Sequence, residues 1–474
     1  MLEKFELLTL PEQHDSISGA MSPASATSTR ANQPRTGLGY AWYVVIVLTA
    51  LYMLSFVDRT ILSLLVGSIK RDLGISDTRI GLLQGLSFAL FYTVMGLPLG
   101  RLADTRSRRN LIAAGVLVWS FFTGACSIAK SFWSLFFTRI GVGVGEAGLS
   151  PAAYSLISDY FPPERLGVAI SVYYMGVFLG SSLALLVGGM VVDIMARIHT
   201  VTLPLLGTIA SWRVTFLIVG APGLLGALLV YTIKEPVRRN MLRNAQGAPA
   251  HLSFAQAFGQ LRLRWQSLAG ISLAMVFQSM ANYALITWGP TYFLRVHGWT
   301  PGQSGRALAA ILLTAGCGGM YTGGRWSDHW QRRGLDEAPM RVMVLGAVGT
   351  LLLLPIGTLL PDVRWTLAFL FAGVFCLALP MGISASALQR IFPNQVRGVV
   401  SALYLFTLNI GGLSLGPLLP GVFNDYLFHN GRMIGYSLSI TMGGAAALML
   451  ITLLAAYRHY REHYRMMAET TVAA

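Results

Sequence analysis

Four ionisable side chains stand in stretches otherwise built of apolar residues: Asp58 and Arg59 in one, Arg139 and Glu146 in another. An ion in hydrocarbon is expensive, so such groups face the interior of a helix bundle and mark a route for substrate or protons. Their formal charges cancel. Arg139 and Glu146 are seven positions apart, about two turns of helix, and therefore project from one face. Asp58 and Arg59 are neighbours and cannot share a face, so at least one turns towards an adjacent helix. The chemistry this predicts is proton exchange. A nearby cation favours the charged form of a carboxylate and desolvation disfavours it. A change of access that moves Arg59 or Arg139 would thus alter the proton affinity of Asp58 or Glu146. Asp58 is the expected principal proton carrier, and Glu146 a second protonatable group or a substrate contact. Arg59 and Arg139 are expected to pair with them or with an anionic substrate. The competing expectation is a fixed, neutralised quartet that only ties two helices together.

The elements that must position these groups are membrane spans. Of 474 residues, 54% are apolar and 12% charged, about half the charged share of a soluble domain. That leaves too little polar surface to cover a water-soluble globule. Long unbroken apolar runs contradict the alternation of a β-barrel, so the chain reads as an all-α polytopic membrane protein. Twelve spans are predicted at 41–69, 79–103, 110–130, 133–158, 166–194, 212–233, 266–294, 304–327, 340–360, 364–389, 398–424 and 433–457. They form two six-helix halves, 40–233 and 266–458. Residues 1–39 are polar, lack a signal-peptide core and are expected to be a disordered cytoplasmic tail. Residues 459–474 form a second cytoplasmic tail. The connection 234–265 carries Phe254, Phe258, Leu261 and Trp265 on one helical face and is expected to include an interfacial helix. With the N-terminus inside, about 23 of the 35 Lys and Arg fall on the inner side, which places both termini in the cytoplasm. The net charge of +15 is explained by that placement, and nucleic acid is not expected as a partner.

The two halves repeat. Gly100-Arg-Leu-Ala-Asp104-Thr-Arg-Ser-Arg108-Arg109 recurs as Gly324-Arg-Trp-Ser-Asp328-His-Trp-Gln-Arg332-Arg333, offset by 224. Phe161-Pro162 and Gly167 recur as Phe392-Pro393 and Gly398, offset by 231. A parallel repeat of two six-span halves is the architecture of major facilitator transporters. The Gly100–Arg109 stretch resembles the signature between spans two and three of that superfamily. Phe56-Val57-Asp58-Arg59, Arg139 to Ala147, Ser150-Pro151-Ala152 and Asp159 to Arg165 are similar to the Spinster subgroup, in a bacterial form. The resemblance covers about residues 40–460. It implies that spans one, four, seven and ten line a central cavity. It further implies that Asp104, with Gly100, Arg108, Arg109 and the second copy Asp328 and Arg332, forms a cytoplasmic gate. Asp104 would hold that side closed against a helix N-terminus of the other half. The family pattern has a basic residue where Thr105 stands, which weakens any claim about the charge network around the motif.

The second half carries no intramembrane ion. Its candidate cavity groups are Gln278, Asn282 and Tyr283 in span seven, and Tyr404 and Asn409 in span eleven. A cavity charged on one wall and amphipathic on the other suits an amphiphile with an anionic or zwitterionic head. The resemblance implies a lysolipid or sphingolipid-like substrate; other organic anions also fit. The reading is a proton-coupled secondary transporter working by alternating access in the inner membrane. It is expected to be monomeric, in contact with membrane lipids, and to use no cofactor beyond the coupling proton. A sugar or small organic acid is the alternative within transport, and a non-transporting sensor or scaffold the alternative outside it. There is no phosphate-binding loop, no assembled Ser/His/Asp group and no metal-ligand spacing, so neither an enzyme nor a metal site is expected. Glycines at 141, 145, 176, 180, 411, 412 and 416 are expected to serve close helix packing.

Overall fold

The computed structural model describes residues 38–198, 200–203, 207–236, 254–393 and 396–472. The first half is α1 (Leu38–Leu73), α2 (Asp77–Thr105, interrupted at Gly85), α3 (Arg108–Ala125), α4 (132–160), α5 (Pro163–Arg197) and α6 (Ser211–Val230). The second half is α7 (Trp265–His297), α8 (Pro301–Arg332), α9 (Ala338–Gly357), α10 (363–391), α11 (397–427) and α12 (Ile434–Val472). Ten of these are long and apolar enough to cross a bilayer unaided. The other two, α4 and α10, are broken into Phe132–Glu146 plus Leu149–Tyr160 and Val363–Ala378 plus Ser384–Ile391. A proline explains each break, because its missing N–H removes one rung of the helical ladder: Pro151 in α4 and Pro380 in α10. The broken helices occupy equivalent positions in the two halves.

Two features depart from the sequence expectation. A short antiparallel hairpin, Thr200–Leu203 against Gly207–Ala210, joins α5 to α6. The helix of α12 continues well past the apolar span, because Tyr460 and His463 keep a buried face while Arg458, Arg461 and Arg465 face outwards. A short helix, Phe254–Leu263, leads into α7; its Phe254 and Phe258 side chains, residues 237–253 and the tail before Leu38 lie outside the described residues. Within each half, glycines set the helix spacing. A Cβ on Gly145 of α4 would stand 2.6 Å from the Trp119 nitrogen of α3, and one on Gly180 of α5 2.7 Å from the Met53 carbonyl of α1.

Twelve spans return the chain to the face on which it began, here the terminal face; the other is the far face. Packing between the halves is concentrated in the middle and at the far face, through α1 against α7, α5 against α8, and α2 against α11. The terminal-face segments 149–160, 384–391 and 397–408 pack within their own halves. The bundle is therefore closed at the far face. Two carboxylates cap helices of the opposite half there. Asp425, near the end of α11, accepts from the Thr78 N–H at 2.6 Å and the Asp77 N–H at 3.3 Å, at the start of α2. Asp193, near the end of α5, accepts from the Gly302 N–H at 3.1 Å and the Thr300 hydroxyl at 3.1 Å, at the start of α8. The two capped helix starts, at 77 and 301, are separated by the same 224 residues as the repeated motif. Each anion sits where the helix dipole favours it.

At the first of these caps lies a buried ion cluster. The Asp77 carboxylate, 1% exposed, accepts from Arg295 of α7 at 2.6 and 2.9 Å, from Asn424 of α11 at 2.9 Å and from Lys70 of α1. The Ser437 hydroxyl of α12 orients Asn424 at 2.6 Å. Glycine permits the approach: a Cβ on Gly421 would lie 2.4 Å from the Asp77 carbonyl. Removing one member of a buried ion pair costs about 3–5 kcal/mol, because its partner is left uncompensated. Asp77→Ala leaves Lys70 and Arg295 without their carboxylate, and should raise the far-face-open population by tenfold or more. Distances between spin labels at the far ends of α2 and α11 read that shift, and Asp425→Asn should produce a smaller one in the same direction.

Candidate functional site

The four intramembrane ions come together where α1 crosses α4, and they pair crosswise. Glu146 of α4 takes Arg59 of α1, its Oε2 lying 2.6 Å from Nη2 and 2.7 Å from Nε. Arg139 of α4 donates through Nη1 to the main-chain carbonyl of Asp58 at 3.2 Å. As adjacency required, Asp58 and Arg59 point apart: Asp58 packs towards α3 and α4, Arg59 towards α2 and the gap between the halves. Asp58, Arg139 and Glu146 are each no more than 3% exposed. Among the described residues, Asp58 Oδ1, Glu146 Oε1, Arg139 Nε and both amide atoms of Gln84 are buried without a hydrogen-bond partner. Each such atom costs about 1–3 kcal/mol.

A hollow opens beside it at the middle of the bundle. Arg59, Arg139, Gln84, Tyr283 and Thr287 line it, with α1, α2, α4 and α7 all represented. Arg59 and Arg139 border this hollow, and Asp58 and Glu146 are not among the residues that line it. Arg59 is held by aromatic faces as well as by Glu146, its guanidinium carbon lying 4.7 Å from the Phe56 ring, 4.4 Å from Phe88 and 4.7 Å from Tyr92. Cation–π contact of this kind steadies a charge that hydrocarbon would otherwise penalise. The sequence reading missed Gln84, Phe88 and Tyr92. Phe88 and Tyr92 stand at i and i+4 on α2, a spacing that marks one helical face but not which partner that face meets.

The second-half candidates divide. Tyr283 lines the hollow beside Arg59. Gln278 does not: it is 2% exposed and its amide donates to the Leu377 carbonyl at 2.9 Å, tying α7 to α10. Tyr404 is 6% exposed and shares a hydrogen bond with Ser384 at 2.9 Å. Asn282 and Asn409 are partly exposed, Asn409 at the start of a widened turn, Asn409–Leu413, in α11.

The motif between α2 and α3 divides as well. Asp104 is exposed and makes no hydrogen bond or ion pair among the described residues, in keeping with a terminal face that is open. Gly100 faces Pro151 with ordinary clearance, 3.9 Å for an added Cβ. Arg108 is 1% exposed and works inside its own half. It donates to Asp159, to Glu235 at 2.8 Å, to Ser155 Oγ at 2.9 Å and to the Pro236 carbonyl at 3.1 Å. The N–H of Arg109 donates to Glu235 at 2.9 Å. In the second copy Asp328 and Arg332 are both exposed. The repeat puts Arg390 where Asp159 stands, and among the described residues Arg332 has no carboxylate partner.

Residues 48–417 match the Major Facilitator Superfamily. The chain belongs to that superfamily. It is 30% identical to an MFS-type efflux pump of Mycolicibacterium smegmatis, over 86% of this chain and 90% of the pump. It is 26% identical to protein spinster homolog 1 of Xenopus tropicalis, over 83% of this chain and 75% of that one. Its fold is similar to the crystal structure of a bacterial homologue of the human lysosomal transporter Spinster, in an inward-facing and unoccupied conformation. That similarity has a TM-score of 0.71 at 24% identity, covering 91% of this chain and 98% of the other. Similarity to the Spinster proteins, read from the stretches around Asp58 and Glu146, is borne out, and so is the twelve-span superfamily fold.

In this superfamily member the first half is closed off at the terminal face by a clasp centred on Glu235. Burial raises the Glu235 pKa, but the Arg109 N–H, the Arg108 guanidinium and the Ser107 hydroxyl outweigh it and hold the carboxyl below its ordinary value. Tyr40 of α1 completes the clasp, donating to the Thr232 carbonyl at 2.9 Å and accepting from the Lys234 N–H at 2.9 Å. Because the folded value is depressed, Glu235 stabilises the half fully above the ordinary carboxylate range, and this is lost as pH falls through the depressed value. Glu235→Gln should lower the melting temperature at pH 7 and flatten its decline below about pH 5. Thermal unfolding of the detergent-solubilised protein measures both.

Proposed function

We propose that the chain is a proton-coupled secondary transporter of an organic anion with an apolar body, a lysolipid-like amphiphile in the widest sense. It works by alternating access. The single observation that supports this best is which charges border the hollow: Arg59 and Arg139 do, and the two carboxylates do not. An anion entering the hollow meets Arg59 and competes with Glu146 for it. Once its cation is shared or withdrawn, Glu146 is a carboxylate in a low-dielectric site, where the neutral form is favoured. Loading of the anion and of a proton are then coupled through one side chain. Asp58, the principal proton carrier in this reading, lies beside the Arg139 charge across the α1–α4 contact, where Arg139 donates to its main-chain carbonyl. No cofactor is required beyond the proton. With the terminal face in the cytoplasm of an inner-membrane monomer, the far-face caps close the outside and the anion site opens inwards. Asp104 and the helix start of α11 would close the terminal face in the opposite state.

Purified protein in vesicles with an imposed pH gradient tests the reading, with a panel of radiolabelled organic anions and lysolipids. Asp58→Asn should lose gradient-driven accumulation by tenfold or more while keeping gradient-free exchange. Glu146→Gln, which removes the competitor for Arg59, should make anion binding nearly independent of pH, and Arg59→Ala should abolish it. Undiminished gradient-driven uptake by Asp58→Asn at matched protein levels would remove Asp58 from the mechanism.

A further inference from the structure

The wall between the hollow and the open terminal face is built largely of phenol rings. Tyr52 lies seven residues before Arg59 on α1, about 10 Å nearer the terminal face. Its ring is stacked on Tyr173 of α5, with centroids 4.6 Å apart and planes at 9°. Tyr154 of α4 meets the Tyr173 ring edge-on at 5.5 Å and 77°. Phe56 meets the edge of Tyr52 at 5.2 Å, and Phe88 stacks on Tyr92 at 5.2 Å. The rings therefore run without interruption from the terminal side to the cage around Arg59. Tyr174 is the telling member. It is 39% exposed although it lies well inside α5. Its ring meets Tyr52 edge-on at 6.5 Å, and its phenol is within electrostatic range of Tyr92 of α2, Tyr154 of α4, Tyr283 of α7 and Tyr404 of α11. It therefore faces the opening between the halves and not the surrounding lipid.

Rings in this geometry have a preference. Aromatic groups attract one another by offset stacking and edge contact beyond the area they bury, whereas an alkyl chain gains only burial. Phenol hydroxyls also need partners when water is displaced, and a methylene chain offers none. A flat ring bearing polar substituents meets both needs, and its acid group is within reach of Arg59. We propose that the apolar body of the substrate is an aromatic ring, so that the ligand class is aromatic carboxylates, with Tyr174 and Tyr92 as the residues that select it. This rests on the anion reading above and narrows it.

The test is equilibrium binding to the full-length protein in nanodiscs, using pairs matched in size and charge. These are benzoate against cyclohexanecarboxylate and 2-naphthoate against its fully saturated analogue, with an acyl lysophosphatidate as the chain-bearing anion. The aromatic member of each pair should bind about tenfold more tightly, the size expected of one or two ring contacts. Tyr174→Leu and Tyr92→Leu should bring the ratio near unity through loss of aromatic affinity, while Tyr174→Phe keeps most of it and reports that the vestibule is still folded. Equal affinities within the pairs, or tightest binding of the lysophosphatidate with no response to Tyr174→Leu, would overturn the inference while leaving an Arg59-dependent anion site standing. If wild-type protein binds no member of the panel, the anion reading falls first and this narrowing falls with it.

Discussion

The bundle is organised around the cost of holding charge in oil. Four ions are buried between α1 and α4, and they are tolerable there only because each guanidinium finds oxygen on the opposite helix. Arg59 reaches Glu146, and Arg139 reaches the main chain at Asp58. That crosswise tie fixes how α1 and α4 cross. It also leaves a remainder, since a carboxylate oxygen on each of Asp58 and Glu146 stays unsatisfied among the described residues. A pure scaffold has no use for such a remainder: replacing buried ions with apolar groups of similar volume is often neutral or stabilising. The second half has the same architecture with no intramembrane ions, so the fold itself does not demand them.

Closure of the far face obeys the same electrostatics in a different setting. α2 and α11 run antiparallel, so each presents an N-terminus to the other's C-terminal end. At the far face Asp425 of α11 occupies the start of α2. At the terminal face Asp104 of α2 is exposed near the end of its helix, beyond the packed contacts between the halves. The pair α5 and α8 repeats the pattern through Asp193. Twofold pseudosymmetry thus supplies two matched fastenings at one face, and the buried Asp77 cluster lies at one of them, joining α1, α2, α7 and α11.

What the sequence made legible follows from which interactions are local. Apolar runs gave all twelve spans, because hydrocarbon acts on every residue of a helix alike. The lone ions stood out against that background, and the duplicated motif disclosed the two halves. Pairings at long range left no such trace. Asp77 and Asn424 lie 347 residues apart, and Asp77 looks in sequence like any charge between two spans. Gln278 has the composition of a cavity residue, and only its place opposite the Leu377 carbonyl shows that it is a strut. The prolines that break α4 and α10 were visible, but a proline in a span permits a kink without requiring one, and surrounding packing decides. The tyrosines were scattered over six helices, and their convergence is a property of the assembled bundle alone.

The interruption in α4 falls immediately after Glu146, at Ala147 and Gly148. Everything beyond it, including Asp159 in the grip of Arg108, belongs to a separate short rod. A pivot so close to the buried charge means that the lower rod can swing through a wide arc while Glu146 scarcely travels.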